Sequence, residues 1–324
     1  MNTLMDKKVL VTGADGFIPS YVCETLVEKG AVVRALVRRN SSNILKNINH
    51  LKNDMEIVWG DIQDFNQMIR ITNDIEIIYH LAANSHVAYS ILNPVESFTI
   101  QTTGIINILE AARINNIGRI IHAGSAEVYG VVNDEFIHED FPLVPRSSYA
   151  AGKVAADRLM YSYWASYDTP VVMPRFFGVY GPRQSAEKAI PKFILQALNG
   201  QSISLYGDGS QTRDFMFGSD AGKAYAELGI ADNVEGQVIN IGTGVKYSIL
   251  DVAMDILKVL DIDADINRDH NIKQGEATHL VADTTLLKKY ISWKPDVSWD
   301  DGLLNTIEYY VKNRSFYEQA IGTI

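Results

Sequence analysis

The chain has 324 residues, 47% of them hydrophobic and 21% charged, a balance that fits a globular protein and excludes a disordered or collagen-like one. Its net charge of -10, with no basic stripe, argues against a nucleic-acid partner, because a binder of phosphate backbones gathers Lys and Arg on one face. A single cysteine, Cys23, excludes an intrachain disulfide. With no export-like leader and no run of the roughly 20 apolar residues that span a bilayer, the expectation is a cytoplasmic protein without a membrane partner.

Lys8-Val9-Leu10-Val11-Thr12 reads as a buried strand ending at Gly13, and Gly16 to Lys29 has helical spacing in Phe17, Tyr21 and Leu26 before it stops at Gly30. Ala31 to Val37 is a second strand. Met55 to Trp59, Ile75 to Tyr79 and Arg119 to Ala123 are further short apolar strands, separated by helix-capable sequence such as Pro94 to Asn115. An apolar-periodic helix opens at Ser148 and runs to about Tyr167, and Val171 to Phe176 is a sixth strand. Short apolar strands alternating with helices predict an α/β chain with a doubly wound parallel sheet. After about Gly181 the pattern changes. Helices near Ala189 to Leu198 and Ser219 to Ile230 flank a turn at Tyr206-Gly207-Asp208-Gly209, and Gln237 to Ile241 is a strand placed to rejoin the sheet. Three more short helical segments are expected in the C-terminal third. No linker or repeat intervenes. The expected organisation is a main domain of residues 1–181 with about 237–245, and a smaller, interleaved C-terminal region of 182–236 and 246–324 that completes one cleft.

Thr12-Gly13-Ala14-Asp15-Gly16-Phe17-Ile18-Pro19 lies at the first strand–helix junction. Glycine there lets a pyrophosphate approach the helix N-terminus, where free N–H groups and the dipole favour anions. The third expected glycine is Pro19, tolerable in a first helical turn. The second strand runs into Arg38-Arg39-Asn40-Ser41-Ser42. An acidic residue there would hold the ribose hydroxyls of NAD; arginines and hydroxyls suit the extra phosphate of NADP, or form a solvated loop. Asp61 either bonds the adenine amino group or caps the following helix.

The strand Arg119 to Ala123 leads into Gly124-Ser125-Ala126-Glu127-Val128-Tyr129-Gly130, and Ser148-Tyr149-Ala150-Ala151-Gly152-Lys153 follows downstream. Tyr149 and Lys153 are i and i+4 and share one helix face. A free phenol titrates near ~10. A neighbouring ammonium and a cationic nicotinamide would lower that value, so that Tyr149 takes a proton from a sugar hydroxyl while Ser125 bonds the same oxygen. A second Tyr-x-x-x-Lys pair, Tyr290 and Lys294, lacks an upstream strand-borne serine and is expected to be structural. His80 and His122 adjoin apolar strands and are expected to pack rather than react. No cluster of His, Asp and Glu has metal-ligand spacing. Trp164 with Tyr161, Tyr163 and Tyr167 is expected to form a helix face buried in the core or in a dimer contact.

These motifs resemble the extended short-chain dehydrogenase/reductase superfamily over most of the chain. Thr12 to Ile18 is similar to its TGxxGFI turn, Gly60-Asp61-Ile62 to its adenine-site segment, and His80-Leu81-Ala82-Ala83 to its HLAA strand end. The resemblance implies a Rossmann fold and a tightly held NAD or NADP, regenerated each turnover. It places the cofactor at Gly13, Asp15, Gly16, Phe17, Ile18, Arg38, Ser41, Asp61, Ile62, Leu81, Ala82, Ala83, Tyr149 and Lys153, with Ser125, Tyr149 and Lys153 as catalytic triad. Arg175 to Arg183 is similar to the RxFNxYGPR segment, and Tyr206 to Phe215 to the YGDGxQxRDF turn, whose arginine, here Arg213, binds nucleotide phosphate. The implied substrate is a UDP-, GDP- or dTDP-linked hexose, touched by Ser85, His86, Lys188, Tyr206 and Arg213, and the implied assembly a homodimer.

Finer features point to nucleotide-sugar 4,6-dehydratases. Leu81 to Val87 with Ser90 resembles their LAAxSHVxxS stretch, Val37 to Ser42 the NADP segment of GDP-mannose 4,6-dehydratase, and Glu187-Lys188 with Ile190-Pro191 a dTDP-glucose 4,6-dehydratase segment. The dehydratases keep a Glu where Glu127 stands. Oxidation at C4 makes the C5 hydrogen acidic, and a carboxylate can remove it as the C6 hydroxyl leaves; the bland alternative is a solvent-facing loop residue. Ala126 stands where dTDP-glucose dehydratases carry an acidic proton donor, Gly178 replaces the usual Asn of RxFN, and Gln101 replaces an Asn upstream of Gly104. The expected activity is a 4,6-dehydratase, with a nucleotide-sugar 4-epimerase as alternative. A non-enzymatic NAD(P)-sensing module would have no need to keep Ser, Tyr and Lys together.

Overall fold

The computed structural model describes residues 3–39, 44–269 and 279–321. In chain order the first part contains β1 (Lys8–Thr12), α1 (Phe17–Glu28), β2 (Val32–Val37), β3 (Glu56–Trp59), α2 (Phe65–Ile71), β4 (Ile77–His80), α3 (Val87–Leu92), α4 (Pro94–Ile114), β5 (Arg119–His122), β6 (Gly124–Ser125), α5 (Ser148–Tyr167), β7 (Val171–Phe176) and β8 (Gly178–Tyr180). The second contains α6 (Ala189–Leu198), β9 (Ile203–Tyr206), β10 (Thr212–Phe217), α7 (Gly218–Leu228), β11 (Val238–Ile241), β12 (Lys246–Ser248), α8 (Ile249–Leu260), β13 (Ile266–Asp269), β14 (His279–Leu280), α9 (Thr285–Tyr290), α10 (Trp299–Lys312) and α11 (Arg314–Ile321).

The main sheet runs β11-β7-β5-β4-β1-β2-β3, with β6 also on β7, and the pairings along it are parallel. Its strands are apolar on both faces. Val9 and Val11 of β1 face one core with Val33, Ala35, Tyr79 and Val172, while Leu10 faces the other with Leu36, Ile78 and Ile120. Cover on both sides is why each strand reads as an unbroken apolar run. α1 and α7 cover the first face through Val22, Leu26 and Ala224; α2, α4 and α5 cover the second through Met68, Ile108 and Met160. Strand β1 has β2 on one side and β4 on the other, so the connections diverge there and open a crevice beyond the strands' carboxyl ends.

Past Gly181 the chain builds two small sheets. One has β12-β10-β14 with β8 on β10; the other pairs β13 with β9. They share a core with α6, α8 and α10 through Phe193, Ile194, Val252, Ile256, Leu303 and Ile307. As expected, 237–241 returns to the main sheet, with Val238 to Ile241 lying parallel to β7. Past β11 the described residues hold four further helices, α8 to α11, rather than three, because the chain re-enters a helix at Arg314 just past Asn313. None of the described helices is long and apolar enough to cross a membrane.

Candidate functional site

The glycine turn closes a cradle at the diverging point of the sheet. Gly13 has φ +69°, and a Cβ there would lie 2.9 Å from the Cα of Ala82, so no side chain fits. Gly16 is the extended N-cap of α1, and no side chain caps that helix. The first-turn N–H groups at Phe17 and Ile18 therefore lack the partner a cap would supply, and the site suits a pyrophosphate. Pro19 is buried in this turn, and α1 packs tightly: a Cβ on Gly222 of α7 would come 2.8 Å from Tyr21 O. Thr12 joins the ends of β1 and β4. Its Oγ1 accepts the N–H groups of Leu81 and Ala82, each at 3.1 Å, and lies 2.8 Å from Nδ1 of His80. With its lone pairs so used, the Thr12 hydroxyl donates to that nitrogen. Burial pushes His80 down to about 3 and His122, stacked on it at 5.4 Å, well below its usual range. Both imidazoles are neutral packing groups, as the sequence indicates.

Asp15 has structural partners. Its carboxylate accepts the N–H groups of Lys46, Asn47 and Ile48 at 2.7–3.2 Å, fastening the segment after β2. Arg38 and Asp61 line one open cleft of about 680 Å³ with Gln63, Asn93, Glu96 and Thr99. Asp61 accepts the N–H of Gln63 at 2.9 Å; the cap of α2 is Asp64, through Gln67 N–H at 2.9 Å. Ile62 is buried beside α4, where Asn107 donates to its carbonyl at 2.9 Å. Ala83 follows Ala82, half-buried. Ser41, with Asn40 and Ser42, lies outside the described residues.

Ser125 ends β6, paired to Phe176 of β7, and a single 3-10 turn, Ala126–Tyr129, follows it. Helix α5 starts at Ser148 because the Ser147 hydroxyl accepts the N–H of Ala150 at 3.1 Å, a standard N-cap. Tyr149 is therefore in the first turn and Lys153 one turn on; both are buried. The Ser125 hydroxyl favours the ionised form of Tyr149, and the charge of Glu127, exposed on the turn, disfavours it. Ser125 Oγ also accepts the N–H of Glu127 at 3.3 Å. Lys153 donates from Nζ to the carbonyl of Ala123 at 2.6 Å and sits 6.0 Å from the Tyr149 ring centroid.

The expected acidity of the phenol is not present in the protein alone. Burial pushes Tyr149 up to about 12, against the pull of the Ser125 bond and with a further push from Glu127. Burial brings Lys153 down to about 8, opposed by the charge of Asp157. The amine is anchored to the Ala123 carbonyl and burial is the largest influence on the phenol, so a second cation is needed to tip it.

The candidate sugar-side residues form two groups. His86 caps α3 by accepting Tyr89 N–H at 2.9 Å, and its Nε2 meets the carboxylate of Glu187. This joins the exposed Ser85 and His86 to the segment of Lys188, the N-cap of α6. Tyr206 ends β9, half in solvent, with Lys192 Nζ 5.4 Å from its ring centroid. Arg213 is half-buried in β10. At position 178 a Cβ would lie 2.4 Å from Asp214 O, so the parallel contact of β8 with β10 leaves no room for the usual Asn.

Sequence reasoning missed two contacts. Buried Gln101 of α4 donates to the carbonyl of Tyr149 at 3.2 Å, and Asp157 continues the Tyr149–Lys153 face one more turn, paired with Arg175 at 2.8 Å. The recurrence every four residues was a visible signal for the second; nothing local marks the first. Tyr290 is the last residue of α9 and the chain is extended at Ile291, so Tyr290 and Lys294 share no helix face. Tyr161 and Tyr167 are exposed, whereas Trp164 packs on Gly236 and Tyr163 donates to Glu110 at 2.8 Å. The four aromatics do not make one buried face.

A family model described as GDP-mannose 4,6 dehydratase matches residues 10–306. The chain belongs to this family. It falls in the epimerase/dehydratase branch of the short-chain dehydrogenase/reductases. A trifunctional UDP-glucose 4,6-dehydratase/UDP-4-keto-6-deoxy-D-glucose 3,5-epimerase/UDP-4-keto-L-rhamnose-reductase of Arabidopsis thaliana is 34% identical, matching 100% of this chain and 50% of its own length. The chain thus spans about half of such relatives. A dTDP-D-glucose 4,6-dehydratase of Bos taurus is 31% identical over 97% of this chain and 91% of its own. Among solved structures, a dTDP-glucose 4,6-dehydratase from Streptomyces venezuelae with NAD bound has a TM-score of 0.89 at 28% identity, covering 95% of this chain and 99% of that one. A UDP-N-acetylglucosamine 4-epimerase from Methanobrevibacter ruminantium has 0.88 at 31%, with coverage of 95% and 99%.

Proposed function

We propose that the protein is a nucleotide-sugar 4,6-dehydratase that works on a UDP-, GDP- or dTDP-linked hexose with a bound, recycled nicotinamide dinucleotide. The observation that carries this reading is Glu127 in the turn that leaves the sheet, two residues past half-buried Ser125 and with its charge acting on buried Tyr149. Residues 1–181 and 237–245 hold the dinucleotide and 182–236 and 246–324 the nucleotide sugar. Gly13, Gly16, Phe17 and Ile18 take the pyrophosphate; Asp15 holds the wall of the cradle; Leu81, Ala82 and Ala83 flank the nicotinamide side. Asp61 and Ile62 take the adenine end, with Arg38 suited to the 2′-phosphate of NADP. A nicotinamide dinucleotide held by these residues would supply reversible hydride transfer between C4 and C6, and its positive charge beside the phenol would be the second cation.

Tyr149 takes the proton of the C4 hydroxyl, Ser125 bonds the same oxygen, and Lys153 adds its charge from one turn below. The new C4 carbonyl acidifies C5. Glu127 removes that proton and hands it to the departing C6 hydroxyl, which leaves as water, covering the lack of a donor at the small Ala126; C5 then takes a proton from solvent as C6 receives the hydride. Arg213 and Lys188 bind the diphosphate, and Ser85, His86 and Tyr206 frame the sugar and nucleotide. A homodimer fits the outer faces of α3 and α4, where Leu92 and Val95 are 80% and 78% exposed beside Ile91, Phe98 and Ile106, a contiguous patch that two copies would cover; sedimentation velocity measures it.

The second reading is a 4-epimerase, favoured by Ala126. Purified protein with UDP-, GDP- and dTDP-hexoses in deuterated water separates the two by proton NMR: deuterium at C5 with a new methyl signal marks dehydration, and a swap at C4 alone marks epimerisation. Glu127→Gln should cut water loss by about 10²–10³-fold while C4 oxidation persists; undiminished turnover sinks the dehydratase reading.

A further inference from the structure

One buried ion pair lies below the reaction centre. Asp157 and Arg175 are 0% and 2% exposed in their side chains. Arg175 donates from Nε to Asp157 Oδ2 at 2.8 Å and from Nη1 to the Tyr129 hydroxyl at 2.8 Å. Tyr129 donates to Asn240 Oδ1 at 2.7 Å, and the Glu139 carboxylate accepts Asn240 N–H at 2.7 Å. The second carboxylate oxygen of Asp157, Oδ1, is buried and has no hydrogen-bond partner. It lies against Gly124, where a Cβ would be 3.4 Å away. Gly124 follows Ala123, whose carbonyl holds Lys153. Asp157 is also one helical turn past Lys153 on the same face. The free oxygen therefore borders the strand on which the lysine is moored.

A buried carboxylate oxygen without a donor is costly, and a nearby cation is what offsets that cost. The groups around Lys153 are few. Its own helix offers Tyr149 and Asp157; β4 and β5 offer His80 and His122, both held neutral by burial. The turn after β6 offers Glu127, at the surface, and β7 offers Arg175, with Glu139 beyond it. Three cations, Arg175, Arg158 and Lys153, thus act on Asp157, and Glu139 is a second anion beyond Arg175.

We propose that Asp157 is a positioning residue for the reaction: its free oxygen is the counter-ion of the Lys153 ammonium, and Arg175 clamps the other oxygen so that this charge cannot turn away. The importance of the lysine rests on the dehydratase reading above; the pairing itself does not. Its deletion would leave the phenol without its fixed cation.

The test reads the lysine directly. In protein labelled with carbon-13 at lysine and carrying whatever cofactor it retains, the Lys153 ε-carbon resonance is identified by its loss in Lys153→Arg and followed against pH. Asp157→Asn should lower its midpoint by about one pH unit, Asp157→Glu should leave it in place, and Arg175→Met should raise it. The alkaline limb of kcat should move with the midpoint. A merely structural Asp157 would lower the unfolding temperature and leave the midpoint still, and that result overturns the proposal. Where the Asn variant does not fold, Arg175→Met decides alone, an unmoved midpoint again counting against it. Since no sugar is needed, absence of turnover would strike the dehydratase reading and leave this one standing.

Discussion

The main sheet and the region past Gly181 differ in how they treat their functional residues. Ser125, Tyr149 and Lys153 are held by parallel strands and a helix covered on both faces, and Tyr149 and Lys153 are at most 8% exposed. Tyr206 and Ser85 are exposed and Lys188 is half-buried, at the end of β9, in the loop after β4 and at the start of α6. Proton and hydride chemistry needs fixed angles and a dry setting, which a two-sided core provides. Recognition of a sugar and its nucleotide tolerates looser mounting and varies through loops. The difference teaches that chemistry and specificity are carried by separate layers and should separate on mutation.

The sharpest cut is Tyr149→Phe, which leaves the ring and its packing and removes the proton acceptor. We expect kcat to fall by about 10³-fold with cofactor retention and melting temperature unchanged; steady-state turnover and thermal unfolding measure both. A second difference lies in acid. An unfolded chain protonates His80 near 6.5, whereas the folded imidazole resists to about 3. Between those values the unfolded state binds more protons, so stability should decline as pH falls through that window, by on the order of a few kcal/mol. Urea unfolding at pH 7 and pH 4.5 reads the loss, and His80→Gln should flatten it. On the other layer, Arg213→Ala should raise KM for the nucleotide sugar by roughly 10–100-fold, the worth of a charge-assisted contact, with kcat nearly kept. A fall in kcat with unchanged KM would merge the layers. The smallest effect is expected at the adenosine end: Arg38→Ala should weaken NADP by about tenfold and leave NAD alone, as titration of each cofactor would show.

The same contrast explains what could be read in advance. β7 and α5 occupy the residues that pattern indicates, Val171–Phe176 and Ser148–Tyr167, because a strand buried on both faces admits few polar residues and a serine cap marks where a helix begins. Ser125 beside Tyr149 was legible for a related reason: a strand end and a helix start are local signals. Strands β9, β10, β12 and β14 were not foreseen: β12 and β14 are very short, and the alternation of β9, with Ile203 and Leu205 buried, lasts only four residues. Nor was Asp15 as a clasp on Lys46 to Ile48, or Gln101 on the Tyr149 carbonyl, since partners 31–33 and 48 residues away leave no periodic trace. Spacing placed Tyr149 and Lys153 on one helix face, but the acidity anticipated for the phenol also calls on the charge of a bound nicotinamide, which the chain itself does not carry.

Strand β11 has a further consequence for how the molecule can be cut. It comes from the late part of the chain yet forms the outer rail of the early sheet beside β7. Directly after it, Thr243 and Gly244 give their N–H groups to the carboxylate of Asp214 at 2.9 Å, knotting it to β10. A fragment stopping near Gly181 would expose the length of β7 as an open ladder of amides and carbonyls, a template on which like fragments stack. Such a truncation should collect as insoluble material rather than as a small cofactor-binding module.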